Sequence, residues 1–128
     1  MSRGRTRGTM KKILIVEDDN DFQDIYRLFL QGESFQVLIA MNGKEAIAVL
    51  EKETPDLIIL DLIMPVMDGE EFYAWLRAQE KWRHIPVIIA SVNEKMPQHM
   101  VDLDGIAGSL KKPFEIDTLI EKIRANLK

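Results

Sequence analysis

Two apolar runs in this chain end abruptly in acid. Ile13 to Val16 is followed by Glu17, Asp18 and Asp19, and Leu57 to Leu60 is followed by Asp61. Carboxylates gathered within a few ångströms raise one another's pKa and oppose the compact state. A fold tolerates such a cluster readily when a cation compensates it. Hard oxygen ligands with room for water suit Mg²⁺, which takes octahedral coordination at about 2.0–2.1 Å, using one or two carboxylates and a phosphate oxygen. The bland alternative is that these are ordinary acids at helix N-termini, and for Asp19 and Asp21 that reading is preferred. Asp61 directly ends a fully apolar run, and there the bland reading is weak.

The acids meet only if their strands are neighbours. Short apolar runs alternate with amphipathic ones along the chain. Ile13 to Val16, Phe35 to Ala40, Leu57 to Leu60, Val87 to Ala90 and a short run around Leu110 read as buried strands. Between them lie helical patterns. Asn20 is expected to cap a helix with Phe22, Ile25 and Phe29 inward, ended by Gly32 just past its last turn. Asn42 is expected to cap one with Ala46, Ile47 and Leu50 inward, and Asp68 one bearing Phe72, Trp75 and Leu76. A poor helix follows around Met96 to Leu103, with Pro97 tolerable only in its first turn. The last runs from about Glu115, with Ile116, Leu119, Ile120, Ile123 and Leu127 at helical spacing.

Five βα repeats predict an α/β fold, a doubly wound five-stranded parallel sheet with helices on both faces. Right-handed crossovers leave few orders, of which the flavodoxin-like 2-1-3-4-5 is common. Ligands of such sheets bind beyond the carboxyl ends of the strands where the order reverses, here between the first and third strands. Both acidic strand ends converge there.

The 128 residues fit one domain, read as residues 10–128 behind a flexible tail, residues 1–9. Acids outnumber bases by 21 to 17, which argues against nucleic acid as the direct ligand. The absence of cysteine excludes thiolate chemistry and Cys-ligated zinc. No apolar run approaches the ~18 residues of a membrane span, and a cytoplasmic location is expected. His84 and His99 lack metal-ligand spacing, and Met64 and Met67 read as packing residues. Neither a GKS/T loop nor GxGxxG occurs, so nucleotide binding has no support.

The stretches ILIVEDD, DLIMPVMDG, VIIAS and LKKPF, in that order over residues 13–114, resemble the response-regulator receiver domain of two-component signal transduction, including its single-domain chemotaxis regulators. The resemblance implies that Asp61 is the phosphoacceptor, that Asp18 ligates Mg²⁺ directly, and that Glu17 acts on it through water. Ile63 would offer the metal its backbone carbonyl. Ser91 would hydrogen-bond a phosphoryl oxygen and Lys112 would pair with the phosphoryl group. Pro113 would follow Lys112 through a peptide bond that is cis in the family.

Elementary chemistry agrees with these roles. A carboxylate forms an acyl phosphate when a metal screens the charge repulsion. The transferred group needs positive charge at its equatorial oxygens, and a lysine ammonium supplies a point charge for it. Lys111, its neighbour, is expected to point to the other face by strand alternation.

Three departures stand out. The family often carries an aromatic three residues before the lysine; here that position is Ser109. Val92 is bulkier than the residue common after the hydroxyl position. Ile63, two residues beyond the acceptor, has no polar side chain to position an attacking water. Slow self-dephosphorylation is therefore expected, with a phosphoryl lifetime well beyond seconds; chasing the phosphorylated chain by mass after donor removal checks this.

The expected function is a phosphorylation switch, not an enzyme in the usual sense. It would take its phosphoryl group from a histidine kinase or histidine phosphotransfer protein. It would then bind a downstream protein effector, relay the group, or act on an output domain not included in this chain. The segment around Met96 to Leu103 is expected to move with it. A Mg²⁺-dependent phosphohydrolase is the alternative; it would need an acid at position 63, where isoleucine stands. A degenerate receiver serving only as an interaction surface ranks lower, because every acceptor-site residue type is present.

Overall fold

The computed structural model describes residues 10–62, 64, 66–91, 106–112 and 114–127. The strands are β1 (Lys12–Val16), β2 (Gln36–Ala40), β3 (Leu57–Leu60), β4 (Val87–Ser91) and β5 (Ile106–Lys111). The helices among the described residues are α1 (Asn20–Gly32), α2 (Gly43–Lys52), α3 (Gly69–Ala78) and α4 (Ile116–Asn126). All strand pairings are parallel, in the order β2-β1-β3-β4-β5, as expected. The residues 1–9 tail, the segment around Met96 to Leu103 and His99 lie outside the described residues. No helix among the described residues is long and apolar enough to cross a membrane.

Strand alternation divides the core into two layers. Leu14, Val16, Ile58, Leu60, Val87 and Ile89 face one way, onto Ala46, Leu50, Phe72 and Leu76 of α2 and α3. Ile13, Ile15, Leu57, Ile59, Ile88 and Ala90 face the other, onto Tyr26 and Leu30 of α1 and Leu119 and Ile123 of α4. Both faces being covered, the central strands are apolar throughout.

The helix caps follow local chemistry. Asn42 and Asp68 cap α2 and α3 as expected, Asp68 in a reciprocal capping box with Glu71. At α1 the expectation was one residue late: Asp19 is the cap, accepting from the backbone N–H groups of Asp21 and Phe22, and Asn20 is the first helical residue. Asp19 and Asp21 are thus the ordinary N-terminal acids anticipated.

The inward face of α1 also differs. Gln23, Tyr26 and Leu30 are buried and Phe22 partly so, whereas Ile25 and Phe29 are 41% and 44% exposed. Phe22, Ile25, Tyr26, Leu28, Phe29 and Leu30 place apolar groups on several sides of the helix, so a 3.6-residue period alone does not choose a face. A polar contact helps set it, because the Gln23 amide reaches the Glu17 carbonyl.

Gly32 is the last residue of α1 and does not follow it; the chain reverses at Ser34, with φ 69°. The Phe35 N–H returns to the Leu30 carbonyl at 3.1 Å, the closure that usually employs glycine in the left-handed position. Serine there carries a Cβ penalty. Ser34→Gly should stabilise the fold by about 1 kcal/mol, read as a raised urea midpoint with an unchanged slope.

Candidate functional site

Strand register brings the chemistry together. Val16 pairs with Leu60, so Glu17 and Asp61 leave adjacent strands at the same level. The Asp61 N–H donates to the Val16 carbonyl at 3.0 Å, and the Glu17 N–H to the Ala40 carbonyl at 2.9 Å. Both residues continue the alternation of the α1-facing layer, after Ile13 and Ile15 on one strand and Leu57 and Ile59 on the other. On the far side Ser91 pairs with Lys111, and the Lys112 N–H donates to the Ser91 carbonyl at 2.8 Å. Four strand ends therefore contribute to one crevice.

Glu17, Asp18 and Asp61 each present a carboxylate oxygen within 4.8 Å of the others. Glu17 and Asp61 are 1% and 6% exposed, and Asp18 is half-buried. Their donor set, all hard oxygen and open on the Asp18 side, fits a small divalent cation that keeps part of its water. The Lys112 ammonium, itself buried, is hydrogen-bonded to Glu17 and lies 3.5 Å from Asp61 Oδ2. Ser91 is buried at the end of β4.

Electrostatics show how demanding this pocket is. Burial pushes the Glu17 carboxyl above the ordinary carboxylate range; the Lys112 hydrogen bond and charge pull it down, and the Asp61 charge adds to the rise. The folded chain thus holds that proton more tightly than the unfolded one. Its contribution to stability is present at low pH and is lost as pH rises through the raised value. A cation among the carboxylates would remove that cost.

Several residues shape the site without having been singled out by sequence. Gly69, at the start of α3, lies against the Asp61 backbone: a Cβ there would meet the Asp61 carbonyl oxygen at 2.3 Å and Leu62 Cα at 2.5 Å. Gln23 donates to the Glu17 carbonyl at 2.5 Å. Phe22 places its ring 4.2 Å from the Lys112 Nζ. The Tyr26 hydroxyl is buried with no hydrogen-bond partner among the described residues, its ionisation opposed by burial and then by Glu17 and Asp61. Val66, in the loop after Asp61, is exposed at φ 68°, a strained conformation for a β-branched residue.

Met64 and Met67 pack on the α2/α3 layer, as expected, and His84 is exposed. Ile63, Val92, Pro113 and the Lys111 side chain lie outside the described residues.

A doubly wound sheet with acids at adjacent strand ends and a buried lysine beside them is the arrangement that the receiver resemblance implies. The response regulator receiver domain family matches residues 13–124, and the chain belongs to that family. Its receivers are autocatalytic phosphorylation switches that work with histidine kinases or phosphotransfer proteins, distinct from classical enzymes. The chain is 29% identical over 118 residues to the polar-differentiation response regulator DivK of Brucella anthropi, covering 91% of this chain and 96% of that one. The chemotaxis protein CheY4 of Vibrio cholerae superposes with a TM-score of 0.84 at 32% identity, covering 93% and 100% of the two chains. The receiver domain of sensor histidine kinase PA1611 from Pseudomonas aeruginosa, which has a magnesium ion coordinated in its active-site cleft, superposes with a TM-score of 0.82 at 27% identity, covering 93% and 98%.

Proposed function

We propose that residues 10–128 form a receiver in which Asp61 accepts a phosphoryl group from a phosphohistidine, and that Glu17, Asp18 and Asp61 hold Mg²⁺ for that step. The observation that carries this reading is the meeting of three carboxylates and the Lys112 ammonium in one crevice at four strand ends. An Asp61 carboxylate oxygen forms the new bond to phosphorus as the bond from phosphorus to the histidine nitrogen breaks. The departing imidazole keeps the electron pair and takes a proton. Lys112 supplies positive charge to the equatorial oxygens, and Ser91, buried one strand over, supplies a hydroxyl hydrogen bond. Ile63 would add its backbone carbonyl to the metal, with Pro113 setting the backbone after Lys112. When bound, the metal screens the repulsion between the incoming phosphoryl group and the acceptor carboxylate.

The resulting charge at Asp61 alters how the receiver binds a downstream protein or passes the group onward. The test is intact mass after treatment with Mg²⁺ and acetyl phosphate. The unsubstituted chain should gain one phosphoryl group, labile to hydroxylamine, and Asp61→Asn should gain none. Equal uptake by both would remove Asp61 from the acceptor role.

A further inference from the structure

We propose that Phe22 is a positioning residue for Lys112: its ring, backed by Tyr26 and Phe114, keeps the ammonium at the acceptor while its hydrogen-bond partners change. The proposal rests on the phosphoacceptor reading of Asp61. The Lys112 Nζ lies 4.2 Å from the Phe22 ring centroid, well inside the range in which a cation is attracted to the negative face of an aromatic ring. Among the described residues, Phe22 is the one aromatic side chain with Lys112 over its ring.

An ammonium offers three donors and no acceptor. In the structure the Lys112 ammonium donates to Glu17 and to Asp61. Both carboxylates are needed elsewhere during phosphoryl transfer, one for the cation and the other as nucleophile. Lys112 must then loosen its present bonds and turn to the phosphoryl oxygens, on a stem with four rotatable bonds. The ring attraction depends little on where the N–H groups point, and none of the reacting groups uses it up. It therefore spans the change of partners and limits how far the cation strays.

The ring is itself held. Phe22 and Tyr26 have centroids 6.4 Å apart, and Tyr26 and Phe114 lie 6.1 Å apart, within the span of favourable aromatic pairs. Tyr26 is 1% exposed. Phe114 stands two residues after Lys112, so the row ties α1 to the segment that carries the lysine. On β5 the residue three before the lysine is Ser109, which is exposed and has no ring to offer.

The test uses the full chain with Mg²⁺ and acetyl phosphate, following mass against time for Phe22→Leu and Phe22→Tyr. Leucine removes the ring and keeps an apolar side chain, whereas tyrosine keeps the ring. Phe22→Leu should accept the group roughly three- to tenfold more slowly, and Phe22→Tyr should stay within about twofold of the unsubstituted chain. The Lys112 ε-methylene protons give a signature that packing alone would not move. Their ring-current shift in the NMR spectrum should persist in Phe22→Tyr and vanish in Phe22→Leu. If Phe22→Leu fails to fold, Phe22→Met, which fills a similar volume without a ring, takes its place. Unchanged uptake in the ringless variant, or equal slowing in both variants, would overturn the proposal. Failure of the unsubstituted chain to take up any phosphoryl group would overturn the acceptor reading instead. The Lys112 proton shifts would then decide the Phe22 contact by themselves.

Discussion

Lys112→Met should yield a chain that still binds Mg²⁺ and yet accepts a phosphoryl group about a hundredfold more slowly. The two effects come from one ammonium. Lys112 is hydrogen-bonded to Glu17 and lies 3.5 Å from Asp61, so it competes with any cation for the same carboxylates. Its removal leaves their charge free for the metal, and Mg²⁺ affinity should hold or rise. The phosphoryl oxygens meanwhile lose a preorganised positive partner. Losing one such partner in a shielded site typically costs a factor of about 100 to 1,000.

Stability moves too. Breaking a buried ion pair from one side costs about 3–5 kcal/mol, because the Glu17 and Asp61 carboxyl groups are left buried without their counter-ion. Mg²⁺ at 100 times its dissociation constant offsets about 2.7 kcal/mol of that. Calorimetric titration with Mg²⁺ and a mass time course with acetyl phosphate separate the effects. Uptake as fast as in the unsubstituted chain would show that Lys112 serves the fold and not the transfer.

Gly69→Ala should destabilise the chain by about 3 kcal/mol through overpacking. Helix propensity alone gives the opposite sign, since alanine is favoured over glycine by about 1 kcal/mol inside a helix. Packing decides. The added Cβ would stand 2.3 Å from the Asp61 carbonyl oxygen and 2.5 Å from Leu62 Cα. These are backbone atoms of the Asp61–Leu62 segment, which cannot swing aside as a side-chain end can. The Gly69 N–H also donates to the Leu62 carbonyl at 3.0 Å, holding the helix start against that segment. Relief would displace Asp61, so Mg²⁺ affinity should fall with stability. Gly32→Ala is the control: nothing lies within 4 Å of its added Cβ. Urea unfolding of both variants should show opposite shifts of midpoint, and a Gly69→Ala chain as stable as its parent would refute the close approach.

The strands and the acids at their ends were legible in the sequence because both faces of a parallel sheet are covered. Leu57 to Leu60 is apolar throughout, so the acid that follows is conspicuous, and the fixed register of β1 against β3 carries Glu17 to Asp61. Caps at Asn42 and Asp68 were legible for a similar reason, since the chemistry there is local. The inward face of α1 was not, because its apolar residues lie on several sides and distant partners choose among them. Tyr26 is fixed by the sheet and Phe114, and Gln23 by the Glu17 carbonyl. The same holds for Gly69 and Phe22, whose roles arise from contacts with residues 7 to 90 positions away. Ser34 escaped notice because a left-handed turn normally announces itself by glycine, and the nearby glycine, Gly32, is helical.

The most direct test of Asp61 as the acceptor is to locate the phosphoryl group chemically. Borohydride reduces an acyl phosphate to an alcohol and so turns a phosphorylated aspartate into homoserine. After phosphorylation with Mg²⁺ and acetyl phosphate, reduction and peptide mapping should place homoserine at position 61 and nowhere else. Homoserine at position 18, or a phosphorylated chain with aspartate intact at position 61, would contradict the assignment.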